Sequence, residues 1–168
     1  MNKQIVFLDT ETTGLQHFHQ IFEICVIGHN FMFHAMVLPD EDHIEHYADP
    51  RALEITNFHK RNFDNAITQK ELAYQLALLL QNKIIVAHNV NFDCGMIEEL
   101  FSKYNVHHKL HNRKIDTITL AHEHLSVCGL KSYSMFAIRA FFGWSHDEAH
   151  TAIKDTEDVQ KLYKKLIR

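Results

Sequence analysis

The sequence predicts an α/β fold in which helices flank a mixed sheet of five strands. Three strand-like segments come early in the chain, and helix-like and strand-like segments alternate after them, a pattern typical of such a sheet. No repeat, low-complexity tract or Gly/Ser-rich linker divides the 168 residues, which contain only five Gly and two Pro. We therefore expect a single domain over residues 1–168.

Short apolar runs predict the strands. The first run is apolar enough for a central strand, and turn-forming residues 28–30 separate the second and third runs. The five predicted strands cover residues 3–9, 21–27, 31–38, 84–87 and a short segment near Ile115. The first strand is therefore expected in the middle of the sheet.

Apolar side chains at helical spacing predict five helices. In residues 69–81, Leu72, Leu76 and Leu80 lie along one side, as in a helix that packs on a core. The last helix, which runs to the C-terminus, is amphipathic with lysines along its outer side. The other three predicted helices cover residues 92–104, 117–125 and 132–142.

The composition is that of an ordinary globular protein, with 46% apolar residues and twelve Phe. The sequence shows no signal peptide and no stretch long enough to span a membrane, so we expect a cytoplasmic protein that does not contact membranes. The Cys residues, Cys25, Cys94 and Cys128, are scattered along the chain. They predict buried thiols in a reducing compartment rather than a disulfide frame or a zinc site.

The charge balance limits how the chain could bind nucleic acid. Seventeen basic and twenty-one acidic side chains give a net charge of −4, and no cluster of Lys and Arg stands out. A protein that coats long duplexes usually carries a basic stripe, so this mode of binding is disfavoured. An enzyme that grips only a strand end remains possible, because bound metal ions can supply positive charge. Lys131 and Arg139 could contact phosphates, but exposure to solvent is the simpler expectation.

Fifteen His residues are an unusual number for this length. His107 and His111 could share a helix face and bind a transition metal. No Cys or carboxylate completes a ligand pattern around them, so we expect surface histidines instead.

The first candidate site lies where the first strand ends, at Asp9 and Glu11. Residues two apart on a strand point to the same side, and two neighbouring carboxylates repel each other unless a cation lies between them. Their hard oxygen ligands suit Mg²⁺ or Mn²⁺. The simpler interpretation is a plain loop with a capping Asp. An EF-hand calcium loop is excluded, because Gln20 stands at its twelfth position.

Two further polar segments lie at the starts of predicted helices. One follows a short apolar strand and puts Asp93 in the first turn of the next helix, and the other runs from His150 to Asp155 at the start of the last helix. Each could be an ordinary helix start, with Asn, Asp or Thr as the cap. Three carboxylate segments at element junctions are much harder to explain in this way.

These segments resemble the three motifs of the DEDDh family of 3′–5′ exonucleases. They read Asp9-Thr-Glu-Thr-Thr-Gly-Leu15, His88-Asn-x-x-Phe-Asp93 and His150-x-Ala-x-x-Asp155. The family includes the proofreading epsilon subunit of bacterial DNA polymerase and free-standing DNA and RNA exonucleases. The resemblance implies a ribonuclease-H-like fold, which agrees with the predicted elements. Asp116 also falls where the family often has an Asp.

The resemblance implies a role for each acidic residue and for the His of these motifs. Asp9, Glu11, Asp93 and Asp155 would bind two Mg²⁺ ions, for which Mn²⁺ could substitute, and His150 would be the general base. Two metal ions and a base suit phosphodiester hydrolysis, because they serve the attacking water and the leaving oxygen. The spacing of His150 and Asp155 distinguishes this family from its sister family, which uses a Tyr.

The substrate contacts implied by the resemblance follow the first motif and begin the second. Thr12, Thr13, Gly14 and Leu15 would hold the terminal nucleotide, although Leu15 could equally be a buried aliphatic residue. His88 and Asn89 would either contact the substrate or hold Asp93 in place.

The sequence leaves three candidate functions open. A free-standing exonuclease acting on the 3′ end of DNA is favoured, because the sequence ends soon after the third motif. A proofreading subunit that needs a polymerase partner is the second interpretation. An RNA-trimming exonuclease is the third, because a single contact to a 2′-hydroxyl can decide between the two sugars.

Overall fold

The structure, a computed structural model, describes residues 4–40, 42–147 and 149–167. The strands are β1 (Ile5–Thr12), β2 (Ile21–Ile27), β3 (Met32–Leu38), β4 (Ile67–Thr68), β5 (Ile84–Ala87) and β6 (Lys114–Asp116). They form one sheet in the order β4-β3-β2-β1-β5-β6. β1 pairs antiparallel with β2 and parallel with β5, so the predicted mixed sheet with β1 near its centre is confirmed.

The sheet differs from the prediction in two places. It has six strands rather than five, because the two-residue strand β4 pairs in parallel with β3. A strand this short has no periodicity that a sequence could reveal. β1 also continues beyond Asp9, because Glu11 pairs with Glu23 of β2 even though the apolar run has ended. Lys3, the predicted start of this strand, lies outside the described residues.

Seven α-helices are found in the described part of the chain. They are α1 (His43–His46), α2 (Pro50–Ile55), α3 (Gln69–Leu79), α4 (Val90–Lys103), α5 (Thr117–Leu125), α6 (Met135–Phe142) and α7 (Ala152–Leu166). The five predicted helices correspond to α3–α7. α6 begins three residues later than predicted, because the hydroxyl of Ser134 accepts a hydrogen bond from the N–H of Ala137 and caps the helix there. The sequence did not predict α1 and α2, which are too short to show a pattern.

Side chains of β1 alternate between two buried layers. Val6 and Leu8 belong to the core that includes residues of α3 and α4, whereas Ile5 and Phe7 pack with Val159 of α7. β1 is therefore covered on both faces. The same alternation directs the residues that follow: odd positions face α7 and even positions face α4.

Within the described residues, none of the helices combines the length and the apolar character needed to cross a membrane.

Candidate active site

The acidic residues of β1 face the start of α7. Asp9 and Glu11 continue the face occupied by Ile5 and Phe7, and α7 carries Asp155 in its first turn. Glu11 is 7% exposed, and the Asp155 side chain is 16% exposed. The packing of α7 on β1 and β2 therefore brings a carboxylate from the end of the chain to two from its beginning.

Asp93 reaches the same end of β1 from the opposite face of the sheet. It lies in the first turn of α4 and is 2% exposed. The backbone N–H of Thr10 donates a hydrogen bond of 3.0 Å to Asp93 Oδ1, and the Thr10 hydroxyl donates one of 2.8 Å to the same oxygen. Sequence reasoning missed this role of Thr10. The sequence did indicate that Thr10 lies between two acidic residues of a strand and therefore points to the opposite face, which α4 covers.

His150 completes the cluster from the segment before α7. Its backbone is in the left-handed region, with φ of 64°. One ring nitrogen of His150, one carboxylate oxygen of Glu11 and one of Asp155 all lie within 4.8 Å of one another. No other such group of His, Cys or acidic side chains is found in residues 4–40, 42–147 and 149–167. The structure therefore joins the first and third sequence motifs, and His107 and His111 belong to no such group among the described residues.

The electrostatics of the cluster favour a bound cation. Burial, and then the charges of Asp93, Glu11 and Asp155, hold the pKa of Asp9 well above its usual value. Burial followed by the charge of Asp155 raises the pKa of Glu11 to about 8, and burial raises that of Asp93 to about 7. Burial also raises the pKa of Asp155, against the lowering effect of Arg139.

The four carboxyl groups repel one another when they are ionised together, and a positive charge placed among them reduces this repulsion. Their oxygens are the ligands that Mg²⁺ and Mn²⁺ prefer, and no Cys is among them. The residues present therefore fit hard divalent cations.

A buried glutamate of β2 and its partners lie beside the site. Glu23, opposite Glu11 in the β1–β2 pair, is 2% exposed. Its carboxylate lies 2.9 Å from His34 Nε2 and 3.5 Å from Arg61 Nη1. Arg61 also donates to the backbone carbonyl of His150. The sequence did not predict a role for Glu23 or Arg61, because neither residue belongs to a recognisable motif.

Arg139 corrects an expectation from the sequence. Exposure to solvent or contact with phosphates was expected, but Arg139 is 2% exposed and contacts Asp155 and Asp158 of α7. Lys131 is exposed, as expected. Of the thiols, Cys25 and Cys94 are buried as predicted, whereas Cys128 is exposed because it lies in the turn after α5.

An open cavity of about 470 Å³ adjoins the cluster. Leu15, Ile55, Phe92 and His150 are among the residues that line it. Leu15 is 75% exposed and Ile55 is 47% exposed. Leu15 is therefore available to a ligand and is not a buried aliphatic residue.

The other residues after the first motif are held within the chain. The Thr12 hydroxyl donates to the Gly14 carbonyl at 2.8 Å. Thr13 is fully buried, and its hydroxyl pairs with His43 Nε2 at 2.8 Å and accepts from the Gln20 N–H at 2.9 Å. Gly14 meets the ring of His19 so closely that an added Cβ would lie 2.3 Å from it. The segment is thus a rigid turn that presents Leu15.

His88 and Asn89 form the turn between β5 and α4. His88 Nδ1 lies 3.0 Å from the hydroxyl of Thr117. Asn89 is exposed, has φ of 72° and donates its backbone N–H to Asp116 Oδ1 at 3.3 Å. These contacts fix the turn that carries Asp93. Contact of His88 or Asn89 with substrate stays a prediction.

A mixed sheet with carboxylates at the end of its central strand and a His beside them is the arrangement expected of a nuclease with a ribonuclease-H-like fold. The family model described as Exonuclease matches residues 6–163, so the chain belongs to this family. This match confirms the family that the three sequence motifs predict, and the chain is an exonuclease-type hydrolase.

Several named proteins are similar to this chain. The PolC-type DNA polymerase III of Pediococcus pentosaceus is 27% identical over 95% of this chain and 11% of its own length. The epsilon subunit of DNA polymerase III of Buchnera aphidicola is 29% identical over 96% of this chain and 71% of its own. The 3′–5′ exonuclease DinG of Staphylococcus epidermidis is 28% identical over 92% of this chain and 17% of its own.

Among solved structures, the zinc-bound complex of Escherichia coli ExoI with single-stranded DNA has a similar fold. It superposes with a TM-score of 0.78 at 18% identity, over 97% of this chain and 40% of that one. The chain spans only 11–12% of the PolC-type polymerases that it matches, so it corresponds to one part of those proteins.

Proposed function

We propose that the chain removes nucleotides one at a time from the 3′ end of DNA and releases nucleoside 5′-monophosphates. The observation that carries this proposal is the meeting of Glu11, His150 and Asp155 within 4.8 Å, beside the buried carboxyls of Asp9 and Asp93. These residues come from three distant parts of the chain. Their convergence at one end of β1 opposes folding unless a cation lies among them, since burial of like charges is unfavourable.

Asp9, Glu11, Asp93 and Asp155 would hold two Mg²⁺ ions, with Mn²⁺ as a substitute. When bound, two divalent ions stabilise the charge on the attacking and leaving oxygens of an in-line displacement. The two hydrogen bonds from Thr10 would hold the carboxyl of Asp93 in position.

His150 would act as the general base. Its imidazole accepts a proton from the attacking water, a task suited to a His side chain near neutral pH. The water oxygen forms a bond to phosphorus, and the bond from phosphorus to the 3′ oxygen of the preceding nucleotide breaks. That oxygen keeps the bonding electrons and takes a proton from solvent, which leaves a 3′-hydroxyl on the shortened strand. The left-handed backbone of His150, tied to Arg61, keeps the ring beside Glu11 and Asp155.

The cavity beside the cluster would receive the terminal nucleotide. Its volume of about 470 Å³ lies within the range of small-ligand pockets. Leu15, Ile55 and Phe92 offer apolar contacts to a base, while Glu11 and His150 line the same cavity near the bond to be cleaved. Apolar contact to a base face is tolerant of sequence.

Proofreading in complex with a DNA polymerase is the second candidate function. Proteins named DNA polymerase III, both PolC-type and epsilon subunit, match more than nine-tenths of this chain. The partner would be the polymerase that presents the strand end.

The test uses single-stranded DNA and RNA of the same sequence, labelled at the 5′ end, with Mg²⁺ present. We expect a descending ladder of DNA products that stops when the 3′ end is blocked and disappears with EDTA. Faster digestion of RNA would assign the substrate to RNA. Cleavage of a closed circle, or release of the 5′ label as a mononucleotide, would contradict the proposal. His150→Asn protein, prepared identically, controls for contaminating nuclease.

A further inference from the structure

Arg139 is a buried arginine that joins two acidic residues of α7. Arg139 lies on α6, and its side chain is 3% exposed. Nε donates to Asp158 Oδ2 at 2.8 Å, and Nη2 donates to Asp155 Oδ1. Asp158 is 1% exposed, so both partners of the 2.8 Å ion pair lie away from solvent.

We propose that Arg139 is a positioning residue for metal binding: anchored by Asp158, it fixes the carboxylate of Asp155 in the orientation that coordinates the metal ion. The inference rests on the proposed function, in which Asp155 is a metal ligand. It adds a residue that the exonuclease motifs do not include.

The geometry of a guanidinium explains why arginine stands here. Its donors form a rigid planar fork, so one side chain can hold two acceptors at fixed positions. Asp155 and Asp158 lie three residues apart on α7 and therefore on neighbouring positions of one helix face. The bond to Asp158 fixes the fork, and the fork then restricts rotation of the Asp155 carboxylate through Oδ1.

Charge alone does not account for the arrangement. Asp158 Oδ1 also pairs with Lys154 at 3.0 Å, so Asp158 keeps a cationic partner without Arg139. A positive charge beside Asp155 repels a divalent cation, so removal of charge by itself would tighten metal binding at a pH where Asp155 is ionised with or without Arg139. Loss of the positioning contact has the opposite consequence. A carboxylate that must first be ordered when the metal ion binds coordinates that ion more weakly. The sign of the change in affinity therefore separates the two effects.

The first variant is Arg139→Lys, which keeps the charge and removes the fork. We expect the Kd for Mn²⁺, measured by calorimetry on the full chain without substrate, to rise about 10–100-fold, the usual cost of losing a residue that orients a metal ligand. Steady-state activity should be recovered in part by raising the Mg²⁺ concentration. The matched control is Arg113→Lys, at an exposed position, which should leave the Kd unchanged.

The second variant is Arg139→Met combined with Asp158→Leu, which replaces the buried ion pair by apolar side chains. Such replacements often preserve stability. The Kd should again rise, although the net charge of the two positions is unchanged. A Kd within about twofold of the wild type in either folded variant, or tighter binding, would overturn the inference. Failure of both variants to fold would make Arg139 a residue of the core and would overturn it as well.

The wild-type protein and Asp155→Asn separate this inference from the proposed function. If the wild type binds Mn²⁺ and Asp155→Asn does not, the metal site stands and only Arg139 is in question. If the wild type and Asp155→Asn bind alike, the proposed site itself fails, whatever Arg139 does.

Discussion

The guanidinium of Arg61 donates a hydrogen bond to the backbone carbonyl of His150, and it also faces the buried carboxylate of Glu23 on β2. It donates as well to the carbonyl of Thr56, at 3.0 Å from Nε and 2.8 Å from Nη2. The segment that carries His150 is thus tied to the sheet beside Glu11. Arg61 touches neither substrate nor metal in the proposed mechanism, so its effect on turnover has to pass through His150.

Replacement of Arg61 by Lys should lower kcat about 10–100-fold, because a general base displaced by about 1 Å loses much of its effect. The KM for strand ends and the Kd for Mn²⁺ should change little. In the His150→Asn background the same replacement should have almost no further effect, since interacting residues are non-additive. Additive losses in the two backgrounds would show that Arg61 does not act through His150. Arg113→Lys is the matched control at an exposed site.

His150→Asn should reduce turnover about 10²–10⁴-fold, because the amide cannot accept a proton near neutral pH. Single-turnover hydrolysis measures the loss, and calorimetry should show an unchanged Kd for Mn²⁺. A large loss of metal affinity would instead make His150 a ligand, which its distance from Glu11 and Asp155 permits. His124→Asn, at an exposed position of α5, controls for general effects of losing an imidazole.

Asp9→Asn should abolish hydrolysis and make the metal-free protein more stable. The Asp9 carboxyl is buried among other acids, and an amide of the same shape removes that repulsion. Thermal melts in EDTA at pH 8.5 should show a Tm higher by about 2–4 °C for each kcal/mol gained. Addition of Mg²⁺ should raise the Tm of the wild type more than that of the variant. A lower Tm in EDTA would make Asp9 structural. Asp64→Asn is the exposed control.

The metal-free protein should lose stability as the pH rises from about 4.5 to about 8. The pKa of Glu11 rises to about 8 and that of Asp93 to about 7 in the folded state. Between the unfolded and folded pKa values the folded state holds more protons, so the free energy of unfolding falls with pH. The fall ends above the folded pKa and is absent below the unfolded one. Urea melts in EDTA at several pH values measure it. Excess Mg²⁺ should flatten the curve, and equal curves with and without Mg²⁺ would contradict the metal site.

Leu15→Ala should raise the KM for single-stranded ends about tenfold and leave kcat nearly unchanged. Contact with a base covers apolar surface of the Leu, worth about 1.5 kcal/mol, and each 1.4 kcal/mol is a factor of ten. Stability should not fall, because the side chain is 75% exposed in the free protein. Leu78→Ala, where the side chain is 78% exposed on α3, is the matched control. An unchanged KM would remove Leu15 from the substrate site.

Local patterns in the sequence predicted the elements that carry the site. The apolar run of β1 and its period of two were enough to pair Asp9 with Glu11, and the helix starts located Asp93 and Asp155. Elements without enough length to show a period, such as α1 and β4, were not predictable.

The supporting contacts depend on which helices and strands pack together, and a single sequence does not contain that information. Arg139 follows Ile138 in an apolar helix and looks like an exposed charge until α6 meets α7. Arg61 joins residues from β2 and from the segment before α7, which are far apart in the chain. Thr10 and Asp93 are 83 positions apart.

That separation has a consequence for synthesis on the ribosome. β1 emerges early, but Thr10 cannot hold Asp93 until β5 and α4 have been made, and Asp155 arrives only with α7. Because long-range contacts form late and domains fold as units, a nascent chain holds its acidic groups apart. We therefore expect the nascent chain to lack nuclease activity until the third motif has left the ribosome, because Asp155 and His150 join the site only then.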